Sequence, residues 1–210
     1  MYRIDSRILG MVGTNCYLLC NEDIKECVLI DPADRADEIS KMIDESGCEL
    51  KGILLTHGHF DHVMAVDSVR AAYHIPVYAA EAEKETMHDA SINLSINMGG
   101  AMLSIEADHW LKDGETITLL DQEVRCILTP GHTVGGMCFY FPKAGMLFSG
   151  DTLFQESVGR TDFPGGSMSE IVRSIREKLF VLPDAVQVYP GHGLMTSIKN
   201  EKMFNPFAVE

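Results

Sequence analysis

Three histidines and one aspartate lie within six residues, and this cluster constrains the fold more than any other feature of the chain. It follows an apolar run at 52–55, which predicts a buried strand that ends in a loop. The cluster is Thr56-His57-Gly58-His59-Phe60-Asp61-His62. On extended backbone the first two histidines and the aspartate point to one side, because side chains alternate along a strand. The third histidine, His62, can join them only if the chain turns, and we predict that a helix beginning at Val63 provides this turn.

The residue types in the cluster predict a metal site. Imidazole nitrogen and carboxylate oxygen are ligands that zinc, iron, manganese and nickel share. Surface histidines with ordinary hydrogen bonds are the alternative, but the density of the cluster and its position after a core strand favour ligands. Four ligands within six residues exceed what one tetrahedral site with an open position requires, so we predict two metal ions and further ligands elsewhere.

Three more ionisable residues follow predicted strands, each beside a glycine. They are His132 after 123–128, Asp151 after 146–148 and His192 after 182–189. A rigid scaffold often builds a site from side chains at the ends of its strands, so we expect these residues to meet the histidine cluster at one edge. The remaining histidines lack this context, and we predict that they are surface or hydrogen-bonded residues: His74, His88 and His109.

The pattern of apolar residues predicts a mixed α and β structure in a single domain over residues 1–210, without an internal linker. Further strands are predicted over 8–9, 15–19, 27–30, 76–79, 115–119 and 137–141. Helices are predicted over 35–45, 65–73, 80–89 and 168–180, the last with Ser167 as N-cap. Residues 91–110 are apolar but interrupted by Asn97, Gly99 and Gly100, and they predict a long connection near the site.

Composition limits the kinds of partner that the protein could bind and indicates the cellular compartment in which we expect it. A formal net charge of −14 argues against binding to nucleic acid or to an anionic membrane surface, but it permits a small substrate. The chain has no apolar run of about eighteen residues, and its start lacks the apolar core of a secretory signal, so we expect a cytoplasmic protein. The six cysteines form no Cys-x-x-Cys pair, and we predict buried free thiols.

Taken in order, these motifs resemble the signature of the metallo-β-lactamase superfamily. The matching residues are His57-x-His59-x-Asp61-His62, Gly131-His132, Gly150-Asp151 and Gly191-His192-Gly193. The stretches Gly150-Asp151-Thr152-Leu153-Phe154 and Gly159-Arg160-Thr161-Asp162 resemble the type II glyoxalases, or hydroxyacylglutathione hydrolases. The resemblance implies an α/β (α+β) fold, a four-layer αββα sandwich of two facing mixed β-sheets with metals at one edge. β-Lactamases of the commonest zinc class have cysteine where this chain has Asp151.

The resemblance also implies roles for individual residues. The first metal ion would be bound by His57, His59 and His132, and the second by Asp61, His62 and His192, with Asp151 bridging both. Two divalent ions per chain are expected, zinc first, with iron or manganese as alternatives. Thr56, Gly58 and Gly131 would be supporting residues. Arg160 either holds a substrate carboxylate or braces its loop by pairing with Asp162 or Asp31.

The activity implied is hydrolysis of a small-molecule thioester or ester, such as S-lactoylglutathione, by a hydroxide that bridges the metals, with Asp61 holding its proton. The chain resembles the short, single-domain glyoxalase II relatives without a separate C-terminal glutathione-binding domain, which leaves the thiol half of the substrate open. Persulfide dioxygenases are the alternative. They share the stretch from Gly159 to Phe163 and use one iron held by residues matching His57, His132 and Asp151. Another esterase or lactonase, or a non-catalytic metal-binding module, is a further alternative, and the oligomeric state is open.

Overall fold

The computed structural model describes residues 1–100 and 102–207, and most of its strands form two six-stranded sheets. In the first sheet the strands lie in the order in which they occur in the chain: β1 (Tyr2–Leu9), β2 (Thr14–Asn21), β3 (Glu26–Ile30), β4 (Glu49–Leu54), β5 (Val77–Ala80) and β6 (His109–Leu111). The first three strands are antiparallel, and β3 to β6 pair in parallel, so this sheet is mixed.

The second sheet is also mixed, and a short hairpin stands beside it. The strands of the second sheet are β7 (Thr116–Leu119), β8 (Gln122–Leu128), β9 (Met137–Phe141), β10 (Met146–Gly150), β13 (Gln187–Pro190) and β14 (Thr196–Ser197). The hairpin consists of β11 (Leu153–Phe154) and β12 (Ser157–Val158). The order in space is β14-β13-β10-β9-β8-β7, and only β10 and β13 pair in parallel.

Helices cover the outer faces of the two sheets. They are α1 (Ala36–Ser46), α2 (Phe60–Val63), α3 (Val66–Tyr73), α4 (Lys84–His88), α5 (Met168–Ser174) and α6 (Ile198–Phe204). Buried residues of α1 and α3 pack on the outer face of the first sheet, and those of α5 and α6 pack on the outer face of the second.

Alternation along the strands accounts for the layers. In β2, Leu19 lies between the sheets, whereas its neighbour Leu18 packs toward α1 and α3. In β9, Phe139 lies between the sheets, whereas Cys138 packs toward α5. Strands that bury both faces are apolar throughout, and such a strand needs a covering layer on each side. The prediction of a four-layer αββα sandwich with two facing mixed sheets is confirmed.

The helix predicted to begin at Val63 begins three residues earlier, at Phe60. His59 is extended and immediately precedes α2, and the backbone N–H of Phe60 donates to the carbonyl of Asn93. That carbonyl lies 33 positions further along the chain, so local periodicity could not reveal it.

Several other predicted elements differ in their bounds from those in the structure. Residues 91–110 are not one irregular connection, since they contain a π-helical turn, Ser95–Gly99, and β6, which pairs with β5. The helix predicted over 80–89 divides into a 3-10 turn, Glu81–Glu83, and α4. The helix predicted over 168–180 widens into a π-helix, Ile175–Leu179, although Ser167 is its N-cap as predicted. The strand predicted over 182–189 begins only at Gln187.

The cysteines are free thiols, as predicted, and all except Cys48 are buried. Within residues 1–100 and 102–207, no helix combines the length and apolar character needed to cross a membrane.

Candidate metal centre

The histidine cluster leaves the end of β4 and enters α2 within a few residues. His57, His59 and His62 are buried, and Asp61 is partly exposed. The ring centroids of His57 and His62 are 4.1 Å apart, because the early start of α2 turns His62 back toward the strand end. The loop therefore presents its four ionisable side chains to one small region.

The second sheet delivers the other candidate ligands to the same region. His132 follows β8 and His192 follows β13. His132 Nε2 lies 2.9 Å from His59 Nδ1, and His192 Nε2 lies 3.4 Å from Asp61 Oδ2. Each sheet thus contributes side chains to the centre.

Asp151, at the end of β10, lies between these two groups of residues. Its Oδ1 is 3.4 Å from His62 Nε2, and its Oδ2 is 3.5 Å from the Nε2 atoms of both His132 and His192. A carboxylate in this position can contact ligands of both groups, as a bridging residue must.

Three sets of ligand atoms each lie within 4.8 Å of one another. The sets are His57, His59 and His132; His57, His62 and Asp151; and Asp61, His62 and His192. All seven residues predicted as ligands are therefore brought together, in the two groups that the resemblance implied. Their role as ligands remains a prediction.

The donor atoms fit divalent metal ions on physical grounds as well. His57 Nε2, His59 Nε2, His62 Nε2 and Asp151 Oδ1 are buried, and none has a hydrogen-bond partner within the part of the chain that the structure describes. Three of them belong to one set of close residues, His57, His62 and Asp151, whereas His59 directs its Nδ1 at His132. A buried polar atom without a partner costs about 1–3 kcal/mol, so these three atoms together require a compensating partner. Imidazole nitrogen and carboxylate oxygen are suitable ligands for zinc, iron or manganese.

Asp31, the residue after β3, orients part of the cluster. Its carboxylate accepts hydrogen bonds from the backbone N–H of Thr56 at 2.8 Å and from the Thr56 hydroxyl at 2.6 Å. Its Oδ2 also lies 2.9 Å from His62 Nδ1, which directs Nε2 of that ring toward the centre. Sequence reasoning missed this role, although Asp31 follows a buried strand directly, as the candidate ligands do.

Glu83 is a second buried carboxylate beside the centre. Its Oε1 accepts from the backbone N–H of Gly58 at 3.0 Å, and its Oε2 accepts from the Thr133 hydroxyl at 3.0 Å and the Gly135 N–H at 2.8 Å. Burial raises the pKa of Glu83 to about 7, and these hydrogen bonds oppose that rise. No local pattern could have revealed the role of Glu83, since its partners are 25 to 52 positions away.

Two further hydrogen bonds fix the orientation of candidate ligands. The Thr14 hydroxyl donates to Asp61 Oδ2 at 2.8 Å. His132 Nδ1 lies 2.7 Å from the carbonyl oxygen of Arg160, which leaves its Nε2 directed at the centre. Such outer contacts fix the tautomer and ring orientation of metal-binding histidines.

Burial and mutual proximity shift the pKa values of the cluster. Burial, together with the neighbouring His132, lowers the pKa of His59 to about 3, and burial holds the pKa of His57 far below its usual range. Burial acts to raise the pKa of Asp151, but the nearby His62, His132 and His192 outweigh it and lower that pKa to about 2. His57 and His59 are therefore neutral and Asp151 is ionised, and these are the forms that bind metal ions. Burial acts to lower the pKa of His62, but Asp61, Asp151 and Asp31 outweigh it and raise that pKa well above its usual range, so this ring would release a proton when an ion binds.

A cavity of about 490 Å³ opens over the centre. Apolar side chains form much of its lining, and the polar residues include candidate ligands at its base. Apart from those ligands, the lining residues are Val12, Phe60, Leu94, Phe154, Ser157, Val158, Arg160 and Phe163. Leu94 belongs to the segment that was expected near the site.

The Arg160 side chain pairs with Asp162. The guanidinium binds both carboxylate oxygens, at 2.7 and 2.6 Å, and lies 3.9 Å from the centroid of the Phe163 ring. Of the two roles considered for Arg160, this geometry matches loop bracing by Asp162, and its backbone carbonyl adds a contact to His132. The arginine still lines the cavity, and its role toward a substrate remains a prediction.

The family model described as the metallo-beta-lactamase superfamily matches residues 9–192. The chain is 38% identical over 200 residues to the probable metallo-hydrolase YqgX of Bacillus subtilis, covering 95% of this chain and 94% of that protein. It is 34% identical to the hydroxyacylglutathione hydrolase GloC of Haemophilus influenzae, with 92% of each chain covered.

Solved structures agree with this assignment. The B3 metallo-beta-lactamase BLEG-1 superposes with a TM-score of 0.93 at 38% identity, over 99% of this chain and all of that one. TTHA1623 in a di-iron-bound form gives a TM-score of 0.85 at 33% identity, over 97% of this chain and 99% of that one. ETHE1 from Myxococcus xanthus gives a TM-score of 0.81 at 27% identity, over 98% of this chain and 84% of that one. The chain therefore belongs to the metallo-β-lactamase superfamily.

Proposed function

We propose that the protein is a metal-dependent hydrolase of acyl thioesters, with glyoxalase II-like hydrolysis of S-lactoylglutathione or a similar thioester as its reaction. The observation that carries this proposal is the pair of three-residue groups of candidate ligands with Asp151 between them. Beside it, His57 Nε2, His62 Nε2 and Asp151 Oδ1 are buried and have no hydrogen-bond partner among the residues that the structure describes. The similarity to the hydroxyacylglutathione hydrolase GloC supports the choice of thioester.

The two groups would hold two divalent ions, zinc first, with iron or manganese as alternatives. His57, His59 and His132 would bind one ion, Asp61, His62 and His192 the other, and Asp151 both. When bound, such ions polarise a carbonyl oxygen and make water nucleophilic near neutral pH.

The chain's own residues supply position and proton handling. Asp61 is held by the Thr14 hydroxyl, and its pKa lies below the usual range because nearby histidines and that hydroxyl outweigh the effect of burial. Asp61 is therefore an ionised acceptor for the proton of the attacking water. Apolar side chains such as Phe154 and Phe163 border the cavity and reduce the access of bulk water. A thiolate leaves readily, so the reaction needs no strong general acid.

A small-molecule substrate also fits the charge of the chain. The net charge of −14 disfavours nucleic acid and anionic membranes as partners. We further propose a cytoplasmic location, since free thiols persist in a reducing compartment.

The test combines metal analysis with a substrate assay. Protein purified without chelator should contain close to two ions per chain, and it should hydrolyse S-lactoylglutathione in a reaction that chelator abolishes and added zinc restores. The Asp151→Ala variant is the matched negative protein. Metal-replete protein with no activity toward glutathione thioesters or simpler acyl thioesters would contradict the proposal.

The second candidate is a persulfide dioxygenase that uses one iron. The similarity to ETHE1 favours it, and His57, His132 and Asp151 lie close together as such a site would need, with His57 and His132 ring centroids 4.8 Å apart. About one iron per chain, together with oxygen uptake in the presence of glutathione persulfide, would support this candidate over the hydrolase. The substrate assays should also include esters, lactones and β-lactams. β-Lactams are included because BLEG-1 is a metallo-beta-lactamase. Inactivity toward all of these substrates would favour a non-catalytic metal-binding module.

A further inference from the structure

Glu83 connects the two chain segments that carry the first group of candidate ligands. One carboxylate oxygen accepts from Gly58, which stands between His57 and His59. The other accepts from Thr133 and Gly135, which follow His132. These segments come from different sheets, and the Glu83 carboxylate bonds to both of them.

The surroundings of Glu83 are shaped to hold it there. A Cβ atom at Gly135 would lie 2.3 Å from the Glu83 nitrogen and 2.5 Å from Glu83 Oε2, so any larger residue at 135 would displace the carboxylate. A Cβ atom at Gly58 would lie 2.6 Å from Met87 Cγ, so the loop must also pass close to α4. Glu83 is 1% exposed, and within residues 1–100 and 102–207 no lysine, arginine or histidine forms an ion pair with it.

A buried carboxylate without a cationic partner is costly, and hydrogen-bond donors offset part of that cost. Here two backbone N–H groups and the Thr133 hydroxyl come from the segments that carry ligands, and the side chain of Thr86 on α4 adds a further hydrogen bond. Movement of either segment would leave the carboxylate partly unpaired. Glu83 therefore restrains both segments, and with them the contact of 2.9 Å between His59 and His132.

We propose that Glu83 is a positioning residue for the His57, His59 and His132 group, and that it sets the affinity of this group for a divalent ion. Asp31 has the corresponding role for the Asp61, His62 and His192 group, since it bonds to His62. This inference rests on the metal centre of the proposed function, but its test measures zinc binding and needs no substrate.

The experiment measures zinc affinity by competition with a chromophoric chelator, for Glu83→Gln in two backgrounds. In His192→Ala, which retains the His57, His59 and His132 group, Glu83→Gln should weaken zinc binding about 10- to 100-fold, the usual effect of losing an outer contact. In His59→Ala, which retains the Asp61, His62 and His192 group, Glu83→Gln should change zinc affinity by less than about twofold, because the hydrogen bonds of Glu83 go to Gly58, Thr133 and Gly135 and to no residue of that group. A merely structural role would weaken both groups alike.

Two other variants guard against misfolding and nonspecific effects. Glu81→Gln, on the same turn but with a side chain 59% exposed, should leave both affinities unchanged. Thr133→Val removes one of the hydrogen bonds to Glu83 and should give a smaller loss than Glu83→Gln at the same group, which keeps the inference testable if Glu83→Gln does not fold. Equal weakening at both groups, or none at the first, would overturn the inference. Wild-type protein that binds no zinc would refute the metal centre itself.

Discussion

His62 Nδ1 lies 2.9 Å from Asp31 Oδ2, so the residue that follows β3 fixes the ring of a candidate ligand in α2, the helix after the neighbouring strand β4. The same carboxylate accepts two hydrogen bonds from Thr56, and this binds the start of the histidine cluster to β3. Asp31 thus determines both where the loop begins and which nitrogen of His62 faces the centre.

Asp31→Asn should weaken zinc binding at the Asp61, His62 and His192 group by about 10- to 100-fold. The amide replaces one acceptor oxygen by an NH₂ group, and Asp31 has three donors to satisfy. Chelator competition in the His59→Ala background measures this affinity. Asp37→Asn, an exposed aspartate near the start of α1, is the matched control. Unchanged affinity in Asp31→Asn would show that His62 is oriented without this carboxylate.

Asp151→Ala should lose both metal ions, whereas His192→Ala should lose mainly the second. Asp151 contacts residues of both groups, whereas His192 contacts Asp151 and two members of its own group, Asp61 and the ring of His62. Elemental mass spectrometry of protein purified without chelator measures the ions per chain. A metal content in Asp151→Ala equal to that of wild type would refute the assignment of the ligands.

Gly191→Ala should abolish zinc binding although it removes no ligand. A Cβ atom at residue 191 would lie 2.3 Å from Asp151 Oδ1 and 2.6 Å from His62 Cε1, so the methyl group would push candidate ligands apart. Gly193→Ala is the control, because its positive φ of 76° makes alanine unfavourable there while nothing lies within 4 Å of the added carbon. Both variants should fold in chelator, as circular dichroism can verify, but only Gly193→Ala should bind zinc. Normal zinc content in Gly191→Ala would contradict the observed packing.

Glu201→Gln should raise KM for a thioester and leave the zinc content unchanged. Glu201 is fully buried on α6, and its Oε2 accepts from the backbone N–H of Glu156 at 2.8 Å. Asn205, which also bonds to Glu201, donates to the carbonyl of Ser157 at 2.9 Å.

These bonds, which involve no candidate ligand, hold the β11–β12 hairpin, whose Phe154 and Ser157 line the cavity. The loss of one accepted bond at a buried donor costs about 1–3 kcal/mol, which is enough to loosen the hairpin. Steady-state kinetics with metal analysis measures both quantities, and Lys199→Gln, exposed on the same helix, is the control. A fall in zinc content would mean that α6 supports the metal centre as well.

The sequence predicts the seven candidate ligands because each follows an apolar strand and each has a side chain that binds metals. Both signals are local, and the resemblance then orders the residues into two groups. Asp31 has both signals too, so they cannot distinguish its position behind His62 from that of a ligand. Glu83 has neither, because its role is defined by donors that come from distant segments. Strand order escapes local reasoning too: β13 pairs with β10 in parallel, and no local pattern selects that partner.

The predicted ends of helices and loops are wrong where a contact between distant segments orders the chain. The segment around Leu94 is apolar and lacks periodicity, yet it is ordered by side chains, since Asn93 donates to the carbonyl of Leu103 and the Ser95 hydroxyl accepts from the Leu103 N–H. The early start of α2 has the same origin, in the bond from Phe60 to Asn93.

Both three-residue groups draw side chains from the two sheets: His57 and His59 with His132, and Asp61 and His62 with His192. Each bound ion would therefore be a reversible cross-link between the two halves of the sandwich, made at the edge where the cavity opens. Because an ion that binds only the folded chain adds about 2.7 kcal/mol to stability at a hundred times its Kd, the supply of metal would control rigidity at this edge. Backbone amides at the ends of β4 and β8 should then exchange with solvent faster after chelation, while those at the opposite ends of the same strands keep their protection.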